Sequence, residues 1–267
     1  MTPRRAAILV LVVMFVITLC APLLAPSGYS GQNRNSISAA PSITNLLGTD
    51  ALGRDRFARL LYGMRISMLL APAAAFLATL LAAIIGATGG LLGGWTERML
   101  IGAIDVFLSL PWLFLLLTVR ALMPLNTSSI ASIMVTFLLL ACLGWAASAR
   151  VICASVHELI HSDFILHAHA TGLPTSRIIF AHILPNLKPV LAAQFLVSVP
   201  VFILAEANLG MLGLGVSEPL PTWGNLLREL GSFSALRSQP WLWTPLATLV
   251  IVVICFQVIL QGKEQTL

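Results

Sequence analysis

The chain has 267 residues, of which 58% are hydrophobic and only 9% are charged, and its mean hydropathy is +0.95. Roughly a quarter of the residues in a soluble domain are charged, so this composition excludes a water-soluble globular protein. The net charge of +5 does not indicate nucleic-acid binding, because the 15 lysines and arginines are scattered and no basic patch with interleaved aromatic residues stands out.

Six apolar stretches approach or exceed the length of about 20 residues that a membrane-spanning helix needs. They cover residues 7–25, 66–92, 100–123, 129–149, 189–214 and 242–261. We therefore predict an all-α integral membrane protein with six transmembrane helices, because helices satisfy their backbone polar groups without water.

The first stretch is interpreted as a retained span and not as a cleaved signal peptide. Pro22 and Pro26 crowd any cleavage site after Ala25, and no A-x-A pattern precedes it. Arg4 and Arg5 stand just before this span and favour a cytoplasmic N-terminus. An even number of spans then leaves both termini in the cytoplasm.

Three polar segments connect the predicted spans. Residues 26–65 are expected outside, where the arginines between 54 and 65 are spaced to share one face of a short helix lying at the headgroups. Residues 150–188 are expected inside and contain all five histidines. Residues 216–241 are expected outside. Small residues at G-x-x-x-G spacing in 86–94 predict close helix packing or dimerisation.

The run His157-Glu158-Leu159-Ile160-His161 fits the H-E-x-x-H pattern of zinc hydrolases, in which two imidazoles share a helical face beside a carboxylate. An intramembrane zinc metalloprotease is therefore the alternative function. Such a site also needs a third ligand and an open position for water, for which Asp163 and Glu206 are candidates. The competing interpretation is a histidine-rich interfacial helix.

Two acidic residues fall within predicted spans. A carboxylate in lipid costs several kcal/mol, so Glu206 is a functional candidate, and it either lines a path or caps a neighbouring helix. Asp105 lies near the start of the third span, where an interfacial position close to a positive helix dipole end is the simpler interpretation.

Other site types find no support in the sequence. The four cysteines have no C-x-x-C spacing and are interpreted as small core residues. No G-x-x-x-x-G-K-[ST] loop is present, and the only two lysines, Lys188 and Lys263, precede Pro and Glu. Any dependence on ATP must therefore come from a partner.

Four blocks between about residue 46 and residue 256 resemble the C-type permease of ABC importers for dipeptides, oligopeptides and nickel. The first block, LGTDALGRD, is similar to the family's L-G-T-D-x-x-G-R-D entry to span 2 and contains Gly48, Asp50, Gly53, Arg54 and Asp55. The second runs from Asp105 to Pro111. The third is ILAEANLGMLGLG with the later PTWG, and includes Glu206 and Asn208.

The fourth block resembles the family's E-A-A loop, whose short coupling helix sits in a groove of the ATPase subunit. It contains Gly172 and the run from Arg177 to Asn186, with Pro185 near its end. Aligned back from Pro185, the E-A-A positions fall on Leu166, His167 and Ala168, so the acidic residue is missing. The same alignment places the H-E-x-x-H run where the family has no zinc site.

The resemblance implies a type I ABC importer permease fold, with residues 1–65 as first helix, external loop and interfacial segment, 66–262 as transmembrane core, and 263–267 as a short tail. It implies a bacterial inner-membrane subunit that is not itself an enzyme and holds no cofactor. The implied partners are a second homologous permease, two ATP-binding cassette subunits that bind the ATP, and an extracytoplasmic substrate-binding protein.

By the same resemblance, residues 162–176 couple the chain to the ATPase, with Phe164, Ile165, Ala168 and Gly172 as the expected contact core. Asp105, Pro111, Glu206 and Asn208 are expected in the translocation path or in helix packing. The family usually continues past span 6 with a further tail that this sequence lacks. The missing acid and tail leave two interpretations, a divergent working transporter, which we favour, or one with altered partners.

Overall fold

The computed structural model describes residues 2–122, 128–231 and 239–264, with side chains up to residue 261. Within these residues the chain is helical, and its β contacts are two isolated bridges, Gln32 with Arg54 and Thr49 with Asp55. The α-helices, in chain order, are α1 (Pro3–Leu19), α2 (Ala21–Leu24), α3 (Arg56–Leu92), α4 (Gly94–Ser109), α5 (Trp112–Ala121), α6 (Ser129–Leu143), α7 (Ala146–Ile160), α8 (Asp163–Ala170), α9 (Thr175–Ile178), α10 (Leu184–Met211), α11 (Trp223–Leu227) and α12 (Thr244–Glu264).

In the described part of the chain, four helical segments are long and apolar enough to cross a membrane. They are Arg56–Leu92, Ser129–Ile160, Thr175–Met211 and Pro240–Gln261. A fifth span results if α4 and α5, which are bent by 69° at Leu110-Pro111, cross together. The prediction of an all-α membrane protein is confirmed, whereas the six-span count stays a prediction.

The first predicted span corresponds to α1 and α2. With 17 residues, α1 is about 26 Å long, slightly short of a hydrocarbon core of about 30 Å. Cys20 interrupts the helix before Pro22, and α2 continues it for four residues. α1 packs along α12, so this apolar segment is part of a helical bundle.

The second span is longer than predicted and has no separate headgroup helix before it. α3 runs unbroken for 37 residues from Arg56, and Arg54 precedes it in an irregular segment. Between Arg56 and Pro72 the sequence contains no strong helix-breaking pair, so nothing ends a first helix at the predicted boundary of 65. Pro72 lies inside α3, which membrane helices tolerate when neighbouring groups compensate for the lost hydrogen bond.

The polar segment 150–188 is more helical than predicted. Its first eleven residues complete α7, which ends at Ile160, because the amphipathic pattern of that helix continues past the apolar stretch. α8, α9 and a π-helical turn (Ile179–Ile183) follow. The segment is therefore mostly helical, and its polar residues lie on the exposed faces of these helices.

The chain divides into two compact units. The first comprises Met1–Pro72, Val119–Leu138 and Pro200–Leu267, and the second comprises Ala73–Thr118 and Leu139–Val199. In the second unit, buried residues Ala82, Ile104, Ala149 and Ile152 form a core where α3, α4 and α7 meet.

The glycines of α3 allow the close helix approach that their spacing predicts. An added Cβ at Gly86 would lie 2.5 Å from the carbonyl oxygen of Ala149, and one at Gly90 would lie 2.8 Å from that of Cys153. The backbones of α3 and α7 are therefore in direct contact over about one helical turn.

We expect Gly86→Ala to destabilise the protein, because the methyl group would push α3 away from α7, at a cost of about 1–3 kcal/mol. Gly102→Ala is the matched control, since a Cβ at Gly102 meets nothing within 4 Å and alanine favours a helix. Thermal unfolding in detergent should show a lower Tm for Gly86→Ala and an unchanged or higher Tm for Gly102→Ala. Equal melting temperatures for the two variants would contradict the close contact.

Candidate functional site

In the first unit, the segment before α3 is organised around Asp50. Its carboxylate accepts hydrogen bonds from the backbone N–H groups of Leu52 and Arg54 at 2.9 and 2.8 Å. The Arg54 Nε donates to the same carboxylate at 2.6 Å. Asp50 is therefore both the centre of a tight turn and the partner of a buried guanidinium.

The same cluster holds the loop that follows α10. Glu218 accepts from Arg54 Nη1 at 2.7 Å and from Arg59 Nη2 at 2.9 Å. Arg59 is almost completely buried at the start of α3, whereas the Glu218 side chain is half exposed. Nearby, Arg56 pairs with Glu229 at 3.0 Å. Two segments far apart in sequence therefore meet at the same end of the helices.

The turn geometry explains two glycines of this block. Gly53 has φ of +74°, and a Cβ there would lie 2.2 Å from the Asn33 carbonyl oxygen. Gly48 has φ of +69° and faces the Ala39 carbonyl oxygen at 2.3 Å in the same way. A side chain at either position would collide with the carbonyl oxygen and distort the turn in which Asp50 binds Arg54.

Asp50 and Asp55 have opposite electrostatic environments. Burial by itself would raise the pKa of Asp50, but the hydrogen bonds and charge of Arg54 and the Leu52 N–H outweigh it and lower this pKa below its usual value of 3.8. Asp55 accepts a hydrogen bond from the backbone N–H of Phe57 at 2.9 Å, and burial raises its pKa.

Glu206 lies where α10 meets α11. It is fully buried, and the polar groups nearest to it are the hydroxyls of Ser67 and Thr222 and the Gly224 backbone N–H. Among the described residues none of these reaches hydrogen-bonding geometry with its carboxylate. Asn208, two residues later, is exposed. The two predicted path residues of this helix therefore lie on different faces.

Glycines bring α11 against α10. An added Cβ at Gly210 would lie 2.3 Å from Gly224, and one at Gly224 would lie 2.7 Å from the Glu206 carbonyl oxygen. Trp223 is fully buried beside them and donates from Nε1 to Thr248 Oγ1 at 3.2 Å. The PTWG block is thus a short helix inserted among the membrane helices.

Arg120 holds the start of the loop that follows α10. Its Nε donates to the Leu214 carbonyl at 2.9 Å and its Nη2 to the Gly215 carbonyl at 2.9 Å, and it also contacts Ser132. The buried guanidinium group at the end of α5 is thus hydrogen-bonded to two backbone carbonyls.

In the second unit, α4 and α7 run antiparallel and carry polar contacts along their shared edge. Glu97 Oε1 lies 3.1 Å from His157 Nδ1, and Asp105 Oδ1 lies 2.7 Å from Arg150 Nη1. Asp105 is therefore paired with a cation and does not lie at the start of its helix. Pro111 stands at the bend between α4 and α5.

The H-E-x-x-H run lies on the last turn of α7. The His157 and His161 rings are 4.6 Å apart, and His161 Nδ1 contacts the His157 carbonyl at 2.7 Å. Among the described residues no three of His, Cys, Asp and Glu come together in a way that could hold a metal ion. The zinc protease alternative therefore lacks a third ligand and has no support.

Beyond α7 the chain forms a compact hook of α8, α9 and the π-helical turn, spanning residues 161–183. Ile165, Ala168, Ile178 and Ile183 are buried together and hold the hook closed. Gly172 has φ of +76° and ends α8, where its N–H donates to the His169 carbonyl. A left-handed residue at this position is a common way to end a helix.

The exposed surface of the hook differs from the predicted contact core. Ile165 is 0% exposed and Ala168 is 7% exposed, so both pack inward. Phe164 is 45% exposed and Leu166 is 53% exposed, while Arg177 and Pro185 lie at the surface. A partner would therefore touch Phe164, Leu166 and Arg177 before it reached the buried pair.

Several residues of these clusters are not among the predicted sites. Arg59, Glu218, Arg120 and Arg150 all pair or bond across elements. Each is a charge near the end of an apolar stretch, and the sequence assigns no site to it. Their partners are separated by tens of residues or more, so the sequence alone does not identify the pairs.

Residues 78–262 match the family described as "Binding-protein-dependent transport system inner membrane component". The chain is 34% identical over 263 residues to the oligopeptide transport system permease protein OppC of Mycobacterium tuberculosis H37Rv, covering 98% of this chain and 88% of that protein. Proteins of the same name from Haemophilus influenzae and Bacillus subtilis are each 31% identical, over 98% and 97% of this chain and 83% of each relative.

The opposite pKa directions of Asp50 and Asp55 predict opposite effects of acid. A lowered folded-state pKa contributes stability above the unfolded value and loses it as pH falls, whereas a raised one contributes stability at low pH that is lost as pH rises. Between about pH 6 and about pH 3, the Tm advantage of the native protein over Asp50→Asn should shrink, and its advantage over Asp55→Asn should grow. Parallel Tm curves for the two variants would contradict this assignment.

Proposed function

Because the chain belongs to the family of binding-protein-dependent transport system inner membrane components, we propose that it is a permease subunit of an ATP-driven importer of oligopeptides. It is a multi-pass protein of the bacterial inner membrane. The relatives named as oligopeptide transport permeases support this substrate class, because each is matched over nearly the whole chain. This substrate class includes short peptides. In this proposal the external binding protein selects among them.

The proposed assembly contains a second homologous permease, two ATP-binding cassette subunits and an extracytoplasmic binding protein. The chain binds no ATP in this proposal, because it contains no phosphate-binding loop. Its role is to form one side of the path and to rock between outward- and inward-facing states when the ATPases close and open.

The observation that carries the coupling role is the hook of residues 161–183. A buried cluster around Ile165 makes it a compact unit, and Phe164 and Leu166 remain exposed on it. Exposed apolar side chains on a rigid support are typical of a binding surface. We propose that Phe164 and Leu166, which flank the buried face of α8 on its two sides, contribute to the ATPase contact together with Arg177 of α9. Ile165, Ala168 and Gly172 shape the hook.

The missing acid does not prevent this role. At the aligned position Leu166 presents an apolar side chain, and an apolar contact transmits motion if the two ATPase states bind it with different affinities. A divergent but working transporter is therefore the interpretation that we retain.

The proposed topology has six spans and two cytoplasmic termini. α1 is counted as the first span, because α2 extends it and it packs along α12. The contacts of Arg54 and Arg59 with Glu218 support placing segments 26–55 and 216–231 on one side. That side is the exterior in the predicted arrangement, and the hook lies in the cytoplasm.

We expect Phe164→Glu to reduce co-purification of the ATPase subunits by about tenfold or more, because a charge replaces an exposed apolar anchor. Leu46→Glu is the control, since Leu46 is 58% exposed on the segment assigned to the exterior. Both variants should keep the Tm of the native protein. This substitution is cleaner than deleting residues 162–176, which would also remove Ile165 and Ala168 from the core. Unchanged association of Phe164→Glu would contradict the coupling surface.

The topology is tested by cysteines at two exposed positions in a chain whose native cysteines are replaced. Ile43→Cys should react with a membrane-impermeant thiol reagent in intact spheroplasts, because Ile43 is 98% exposed on the external segment. Leu166→Cys, in the chain expressed without the ATPase subunits that would cover it, should react only after the membrane is opened. The reverse pattern would overturn the proposed orientation.

A further inference from the structure

Glu206 is a fully buried acidic side chain to which the proposed function gives no role. Three helices of the first unit meet around it. On α10, Glu206 and Gly210 are one turn apart and lie against α11. On α3, Gly63 and Ser67 are also one turn apart, and a Cβ at Gly63 would lie 3.4 Å from the backbone of Thr222. The carboxyl group of Glu206 is therefore enclosed by protein on all sides.

The groups around this carboxyl are polar but uncharged. The nearest are the hydroxyls of Ser67 and Thr222 and the backbone N–H of Gly224. An added Cβ at Gly224 would lie 2.9 Å from Glu206 Oε1, so the carboxyl group is in contact with the start of α11. Ser67 and Thr222 are themselves fully buried. Among the described residues, no charged side chain acts on Glu206.

The arginines of the first unit whose side-chain contacts are described are engaged elsewhere. Their partners are Glu218 for Arg54 and Arg59, Glu229 for Arg56, and the backbone carbonyls of Leu214 and Gly215 for Arg120. Arg65 is two residues from Ser67 and therefore lies on a different face of α3. The guanidinium group of Arg228 lies beside Gly213, about two helical turns along the chain from Glu206.

An ionised carboxylate in this place would be unfavourable, because burial removes its hydration and no cation of the described residues compensates for it. A protonated carboxyl group carries no charge and has both a donor and an acceptor. Both Glu206 carboxyl oxygens and Ser67 Oγ have no hydrogen-bond partner among the described residues. The three unpartnered atoms thus include an acceptor for the O–H of a protonated Glu206.

The α11 side offers donors for the other carboxyl oxygen. Thr222 Oγ1 accepts from the backbone N–H of Asn225 at the start of α11, so its own hydroxyl hydrogen is free to donate. The Gly224 N–H points to the same side. A neutral carboxyl group can therefore bridge α3 and α11, as a donor toward one and an acceptor from the other.

We propose that Glu206 is a proton-binding site, and that its neutral carboxyl group joins α10 to α3 and to α11. The bound proton lies between Glu206 and Ser67 Oγ, and the second carboxyl oxygen accepts from Thr222 or Gly224. Glu206 is then a positioning residue for the short helix α11. This role is independent of the transported solute and goes beyond the proposed function.

The charge state is tested by infrared spectroscopy of the full chain in lipid at about pH 7, where an exposed glutamate is ionised. The difference spectrum between the native protein and Glu206→Gln should contain the C=O stretching band of a protonated carboxylic acid. Glu218→Gln is the matched control, because Glu218 is paired with two arginines and its difference spectrum should contain carboxylate bands. Carboxylate bands for Glu206→Gln as well would overturn the proposal.

The bridging role is tested by the Tm of two variants. Glu206→Gln keeps the size, the donor and the acceptor of a neutral carboxyl group, so its Tm should stay close to that of the native protein. Glu206→Leu leaves Ser67 and the Gly224 N–H without a partner, and its Tm should fall by about 4 °C or more.

A carboxylate that holds a metal cation would give a different result. Glu206→Gln would then lower the Tm as much as Glu206→Leu, and sodium ions would raise the Tm of the native protein but not that of Glu206→Gln. That outcome would overturn the proton and assign the site to a cation. Neither test measures uptake, so the proposed function is not affected by its result.

Discussion

A bilayer does not solvate charge, and this constraint explains why the few ionic residues of the chain lie where they do. Arg59, buried at the start of α3, reaches Glu218, and Arg54 reaches both Asp50 and Glu218. Arg120 donates to two backbone carbonyls. In each case the partner lies in a segment that connects helices. The hydrogen bonds of the guanidinium group therefore also hold that connecting segment in place.

The ion pairs of the chain differ in what they contribute to stability. Pairs with one buried member, such as Arg59 with Glu218, are costly to break, because removing Glu218 leaves the buried charge of Arg59 uncompensated, and they stabilise the segments before α3 and after α10. The pair of Asp105 and Arg150 is half exposed, so solvent competes with its partners and the pair contributes little to stability.

Apolar packing determines which side chains of the hook a partner can reach. Two of the residues expected at the ATPase contact, Ile165 and Ala168, are buried in the core of the hook. The side chains that a partner can reach are their neighbours in sequence. A short helix has few faces, so residues that anchor it to its own chain are not free for another. The loss of an acid at Leu166 changes the chemistry of the outer face without altering this core.

The sequence by itself determined the class of the protein. Its composition required a membrane, the apolar stretches located the helices to within a few residues at most ends, and the glycine spacing in α3 predicted a close contact. The blocks around Asp50, Glu206 and Arg177 identified the family. These features are local, because they depend on hydropathy, on backbone conformation and on short motifs.

Only the tertiary structure decided which charges meet. The partners of Arg59, Arg120 and Arg150 lie 45 to 159 residues away along the chain, and the pattern of one helix contains no information about the register of another. For the same reason the sequence placed Ile165 and Ala168 at a partner surface. The direction of a side chain on a short helix is set by what the rest of the chain packs against it, and that is decided when the helices come together.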